Sequence, residues 1–229
     1  MYDNIFYHIF TDFMNTYKSI FFDFDSTLIQ AESLDLLAYR KGCGDEVSRL
    51  TELSMNGDIP VDDIFKKKVE IINPHRDEVI DISYHCREII VEGAKDVIGI
   101  FLKEGRDVYI LSAGFKEIIL PTAKALNIPE ENIFANEFDF AVDGKYRGFK
   151  ETCDPDLIGN KPNIIRKYLA NQCQNECLTA MIGDSVSDMK CREVVDLFIG
   201  FGGVVERKKV KEESEIYVYD IKEVLEYIY

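Results

Sequence analysis

The chain has 229 residues, 46% of them hydrophobic, enough for one domain of ordinary size or for a core carrying a small insert. Its 27 basic and 42 acidic residues give a net charge of −15, which argues against a nucleic-acid groove and reads first as solubility. No apolar run is long enough to span a membrane, and six cysteines without a CxxC pair, beside three histidines, point away from structural zinc and towards free thiols in a reducing, cytoplasmic setting.

Residues 1–17 precede the first strand as an N-terminal extension. They lack the basic start of a secretory signal. Ile5, Ile9 and Phe13 fall at helical spacing, so the segment reads equally as a short packed helix or as a leader of no consequence. KSIFFDF then reads as a strand and Glu32–Arg40 as a helix.

Residues 41–90 break the rhythm. VSRLTELSMNG, PVDDIFKKKVEII and RDEVIDISYHCREII carry helical spacing and no buried-strand signal. This stretch is expected to be a small helical cap, inserted after the first strand and helix into a core built from 18–40 and 91–229.

Alternation then resumes. RDVYILSAG is a strand, and FKEIILPTAKALNIP a helix with a break near Pro121. Asn136 to Phe149 alternates around Asp143-Gly144, a hairpin signal. The helix NKPNIIRKYLANQ, the strands CLTAMIGDS, VVDLFIGFG and EIYVYD, and a helical tail complete the chain. The pattern predicts an α/β fold, a Rossmann-like doubly wound parallel sheet, with ligands beyond the carboxyl ends of its strands.

Three of these strands end in polar groups: Asp23 and Asp25 after the first, Ser112 after the second, Asp184 and Asp188 after the third. In a parallel sheet those ends share one edge. Carboxylates resist crowding in a dry site unless a cation joins them, and a hard divalent ion such as Mg²⁺ suits an all-oxygen set. Lys161, opening a helix, offers a further positive charge. Taken alone, each residue has a plainer reading: Asp23 and Asp25 as turn caps, Ser112 as a loop hydroxyl, Lys161 as a solvated lysine, Asp188 as a helix-face acid. Their convergence favours chemistry.

DFDSTL resembles the first motif of the haloacid-dehalogenase superfamily, LSAGF the second, Lys161 in GNKPN the third and GDSVSD the fourth. Within that superfamily the chain is similar to phosphoserine phosphatases, in VEGAKDVI, FAN and DGKYRG as well. The resemblance implies a Mg²⁺-dependent phosphatase of a small phosphorylated metabolite, monomeric or homodimeric, with no nucleic acid or membrane partner. Asp23 would be the nucleophile and Asp25 the general acid and base. Mg²⁺ would be held by Asp23, Asp184 and the Asp25 carbonyl, with Asp188 orienting that shell. Ser112 and Lys161 would hold the phosphoryl oxygens, aided by amides around Ala113 and Gly114. Glu32 would take the substrate ammonium, and Met55 and Val61 would face the substrate.

Three departures put the amino-acid specificity of those relatives in question. Lys68 stands in place of an arginine that binds the substrate carboxylate, Ser187 in place of an asparagine, and Ala113 in place of a glycine. A phosphatase for phosphocholine, phosphoethanolamine or a sugar phosphate, or a phosphotransferase to an alcohol such as homoserine, is the alternative. A catalytically dead binding protein is disfavoured because every chemical motif is present.

Overall fold

Ile20, Phe21 and Phe22 are fully buried, and that uninterrupted apolar run sits where both faces of a sheet are covered. They belong to β1 (Tyr17–Phe22), the central strand. The computed structural model describes residues 17–55, 61–150, 160–171 and 177–228. The N-terminal extension, apart from Tyr17, lies outside them.

Around β1 stand β2 (Asp107–Phe115), β3 (Ile133–Phe140), β4 (Tyr146–Lys150), β5 (Leu178–Gly183), β6 (Leu197–Phe201) and β7 (Ile216–Val218), in the order β4-β3-β2-β1-β5-β6-β7. All neighbours are parallel except β3 and β4. That pair is the expected hairpin, and its turn places Gly144 at φ 85°, a conformation that costs glycine nothing. The sheet is therefore mixed at one edge. The chain adds β2 and β3 to one side of β1, then crosses to place β5 on the other. A crevice opens at such a reversal, beyond the carboxyl end of β1.

Side chains alternate between the two faces. Ile20, Phe22, Val108, Ile110 and Ile182 join one apolar cluster, whereas Phe21, Tyr109, Leu111 and Met181 join the other. The second face is covered by α7 (Lys161–Asn171), whose Tyr168 packs edge-on to Phe21. Packing of this helix against three strands fixes its first residue, Lys161, at the sheet edge.

Between α1 (Ser33–Arg40) and α5 (Ala94–Lys103) lie α2 (Gly44–Met55), α3 (Val61–Ile72) and α4 (Arg76–Glu88). Val47, Phe65, Val69, Val79 and Ile82 belong to the same apolar cluster as Ile20 and Phe22, so the three helices are welded to the core. Met55 ends α2 and Val61 opens α3, but their side chains lie outside the described residues.

One expectation fails. The helix α6 (Lys116–Ala125) runs straight through Pro121. A proline inside a helix costs about 3 kcal/mol. Here Ile118, Ile119, Thr122 and Ala123 are buried on both sides of it, and their packing outweighs the lost bond. The remaining described helices are α8 (Val186–Met189), α9 (Lys208–Glu213) and α10 (Val224–Ile228). No described helix is long and apolar enough to cross a membrane.

Candidate active site

The Asp23 amide still pairs with the Ile182 carbonyl at 2.9 Å, extending the β1–β5 ladder by one residue and holding the first acid rigidly at the strand end. The chain then folds back. Ser26 has φ 53°, a left-handed conformation rare outside glycine, and its amide donates to the Ala31 carbonyl at 3.0 Å. The turn separates the two acids. Asp23 faces β5, while both Asp25 oxygens accept from Ser33, from the amide at 2.9 Å and from Oγ at 3.1 Å.

After β5 the sequence GDSVSD builds its own geometry. Ser185 caps α8, and Asp188 Oδ2 accepts from the Ser185 amide at 2.9 Å and hydroxyl at 2.6 Å. This capping box turns Asp188 Oδ1 towards Lys161. Gly183 is required: a β-carbon there would meet Asp188 Cγ at 2.4 Å. Gly114 lies equally close to the site, with Ser112 Oγ 3.1 Å and Asp25 Oδ2 3.5 Å from where its β-carbon would stand.

Asp23, Asp184 and Asp188 each offer a carboxylate oxygen, and these oxygens lie within 4.8 Å of one another, all three residues buried. Lys161 Nζ donates to Asp23 Oδ1 and to Asp188 Oδ1, each at 2.6 Å. Asp184 Oδ1 accepts from Thr27 at 3.3 Å, and its Oδ2 accepts from Arg207 Nε at 2.7 Å. Arg207 reaches on to Glu32 Oε1 at 3.1 Å, which also accepts from Ser26 Oγ at 2.8 Å. Four carboxylates, those of Asp23, Asp184, Asp188 and Glu32, thus face two cations, Lys161 and Arg207.

The protonation equilibria express that deficit. Burial, then Asp188, pushes Asp23 well above the ordinary carboxylate range against the pull of Lys161. Burial raises Asp184 to about 7 despite Arg207. Burial opposes the charge on Lys161, but Asp188 and Asp23 outweigh it and hold its pKa above the lysine norm. An oxygen-only donor set short of positive charge fits a hard divalent cation. The Asp25 side chain stands outside the set. Burial and then Glu32 raise it to about 7, against the Ser33 bonds and Lys68. A carboxyl poised there can both give and take a proton near neutrality.

The second-motif residues gather on the same edge. Ser112 Oγ accepts from the Gly114 amide at 3.0 Å, and buried Asn136 donates to the Ala113 carbonyl at 2.8 Å, fixing the intervening peptides.

Residues 20–193 match the haloacid dehalogenase-like hydrolase family. The chain belongs to that family. The phosphoserine phosphatase of Bos taurus is 34% identical over 207 residues, covering 90% of this chain and 91% of that protein. The crystal structure of a phosphoserine phosphohydrolase-like protein from Francisella tularensis superposes with a TM-score of 0.84 at 30% identity, covering 93% of this chain and 100% of the other. A phospho-aspartyl intermediate analogue of phosphoserine phosphatase superposes with a TM-score of 0.80 at 27% identity, covering 93% and 100%. Phosphatases of this family are generally metal dependent, in accord with the buried acidic triad.

The remaining substrate-side expectations fare unevenly. Ser187 shares a hydrogen bond of 2.8 Å with Ser185 and sits half-buried at the start of α8. Lys68 is buried, unlike its exposed neighbours Lys66 and Lys67, and pairs with Asp35 at 3.3 Å and with Thr51. Sequence reasoning missed Arg207, Asp35 and Thr51. One signal for Arg207 was available: it follows the carboxyl end of a parallel strand, β6. Asp35 and Thr51 carried none, each reading as an ordinary helix residue.

Proposed function

We propose that the chain is a Mg²⁺-dependent phosphomonoester hydrolase acting on L-phosphoserine in the cytoplasm. The observation that carries this is the buried Asp23–Asp184–Asp188 cluster with Lys161 bridging two of its members. Relatives that bear the name phosphoserine phosphatase over nine-tenths of the chain supply the substrate. Free thiols at Cys43, Cys86, Cys177 and Cys191 suit a reducing compartment.

Asp23 and Asp184, with the Asp25 carbonyl, would hold Mg²⁺ and Asp188 would orient that shell; the ion supplies charge neutralisation for the phosphoryl group when bound. An Asp23 carboxylate oxygen attacks phosphorus, and the bond from phosphorus to the serine oxygen breaks. Asp25 gives its proton to the leaving oxygen, which departs as the alcohol. A water then attacks the aspartyl-phosphate, Asp25 takes its proton, and the acyl-phosphate bond breaks to release phosphate. Lys161 and Ser112, with the Ala113 and Gly114 amides, hold the phosphoryl oxygens. Glu32 takes the substrate ammonium and Lys68 its carboxylate. The insert at 41–90, with α2, α3 and α4, acts as a cap that restricts entry to small esters.

The pairing of Lys68 with Asp35 supports a second reading, a phosphatase for an amine ester without a carboxylate, such as phosphoethanolamine. Steady-state hydrolysis of a panel of phosphate esters, with Mg²⁺ and with EDTA, separates the two. Phosphoserine is expected to lead the panel, with activity lost in EDTA. Negligible turnover of phosphoserine beside rapid turnover of another ester would overturn the first reading.

A further inference from the structure

Three helices converge on one buried ammonium. Asp35 projects from α1, Ser48 and Thr51 from α2 and Lys68 from α3. Lys68 Nζ lies 3.3 Å from Asp35 Oδ1 and donates to Thr51 Oγ1; their side chains are 7% and 14% exposed for Lys68 and Asp35. Thr51 Oγ1 in turn bonds Asp35 Oδ1 at 2.5 Å, and Ser48 Oγ donates to Asp35 Oδ2 at 2.8 Å. Asp35 is thus fully engaged and held in one rotamer. Phe65, one turn before Lys68 on α3, stacks on Phe115 beside Gly114, and Ser33, two residues before Asp35 on α1, holds Asp25, so the cluster adjoins the reacting centre.

An ammonium has three N–H donors. Lys68 donates one of these to Thr51 and faces Asp35 as an ion pair at 3.3 Å, so any further acceptor must share the ammonium with both. Its charge is already matched by the buried carboxylate of Asp35. An acidic group arriving with the leaving alcohol must share Lys68 with Asp35. A leaving group without one meets a neutral pair and loses nothing.

We propose that Asp35 is a specificity-determining residue: an internal competitor for Lys68 that weakens binding of esters bearing a carboxylate and so sets the discrimination between amino-acid phosphates and their decarboxylated amine counterparts. It acts through Lys68 and touches no reacting atom, so it is a positioning residue. The inference rests on the reading that Lys68 faces the substrate's leaving group.

The test compares phosphoserine with phosphoethanolamine on the unaltered enzyme, Asp35→Asn and Lys68→Arg. Asp35→Asn keeps the shape and removes the competing charge. Its kcat/KM ratio of phosphoserine to phosphoethanolamine is expected to rise about tenfold, the scale of one charge-assisted hydrogen bond, and the change should fall in the phosphoserine KM with kcat little altered. A merely structural role would move both esters together. Lys68→Arg gives the site a planar five-donor group able to serve Asp35 and a substrate carboxylate at once, and should shift the ratio in the same direction. If Asp35→Asn proves insoluble, Lys68→Arg decides alone. An unchanged or reduced ratio overturns this inference while leaving the proposed hydrolysis intact. Failure of the unaltered enzyme to cleave either ester overturns the proposed function, and this inference with it.

Discussion

The edge of the sheet and the helical wall facing it handle buried charge in opposite ways. At the sheet edge Asp23, Asp184, Asp188 and Glu32 outnumber Lys161 and Arg207, and Asp23 and Asp184 show it in their raised pKa values. On the wall Asp35 and Lys68 match one for one, with hydroxyls filling the remaining valences. An unbalanced site stores a demand for a cation, whereas a balanced one is self-sufficient and meets a ligand only by exchanging partners. The first arrangement suits chemistry, and the second suits selection.

The largest test breaks the sheet-edge side. Asp23→Asn should lower kcat by at least about a thousandfold, roughly 4 kcal/mol of barrier, with the far-UV circular dichroism spectrum unchanged. A soluble variant within tenfold of the unaltered rate would show that Asp23 is not the nucleophile.

Chelation tests the stored demand. A carboxyl whose pKa is raised by folding binds its proton more tightly in the fold than in the unfolded chain. Stability of the cation-free protein from Asp23 and Asp184 is therefore fullest below the unfolded value and declines as pH rises through the folded one, about 7 for Asp184. Mg²⁺ bound at the cluster would replace those protons, so its stabilisation should be larger at about pH 8 than at about pH 5, and about 2.7 kcal/mol at a concentration a hundred times Kd. Thermal melts with Mg²⁺ and with EDTA at the two pH values measure it. Equal gains at both would mean that the cluster does not take the ion as carboxylates.

Lys161→Met removes the ammonium that joins Asp23 to Asp188 and should cost about a hundredfold or more in kcat, the scale of one preorganised charge. Arg207→Met is expected to be milder in rate and clearer in stability. It strips a partner from Asp184 Oδ2, and breaking a buried pair costs about 3 kcal/mol where nothing replaces it. With Mg²⁺ present Asp184 would have a second partner, so the drop in Tm should be smaller than in EDTA. The same drop in both would place Arg207 outside the cation's electrostatic reach.

How far each region can be read from the sequence follows the same division. Asp23, Ser112 and Asp184 were legible because a strand's end is a local event: an apolar run stops, a polar residue follows, and a parallel sheet brings the stops together. Asp188 was legible through its spacing from Asp184 in GDSVSD, and the structure closes that stretch with a Ser185–Asp188 capping box. The hairpin announced itself through Asp143-Gly144. Arg207 was missed because its partner Glu32 lies 175 positions away: its place after the carboxyl end of β6 is a weak signal, and ERKKVKEE otherwise resembles a solvated basic face. Lys68 was singled out, but its pairing with Asp35 depends on how three helices meet. Pro121 misled because the rule that proline breaks helices weighs only the backbone, and Ile118, Ile119, Thr122 and Ala123 repay the lost bond through packing.

The sequence by itself determined the alternation of strands and helices, the edge at which acids gather and the need for a cation there. These depend on hydrophobic periodicity and on the cost of crowding like charges, both of which operate over short stretches of chain. Only the tertiary structure decided which buried charge each partner neutralises, and hence whether Lys68 and Glu32 stand free or already engaged. Ion pairing in a dry interior is set by distances of a few ångströms between elements remote along the chain, and no local pattern encodes them.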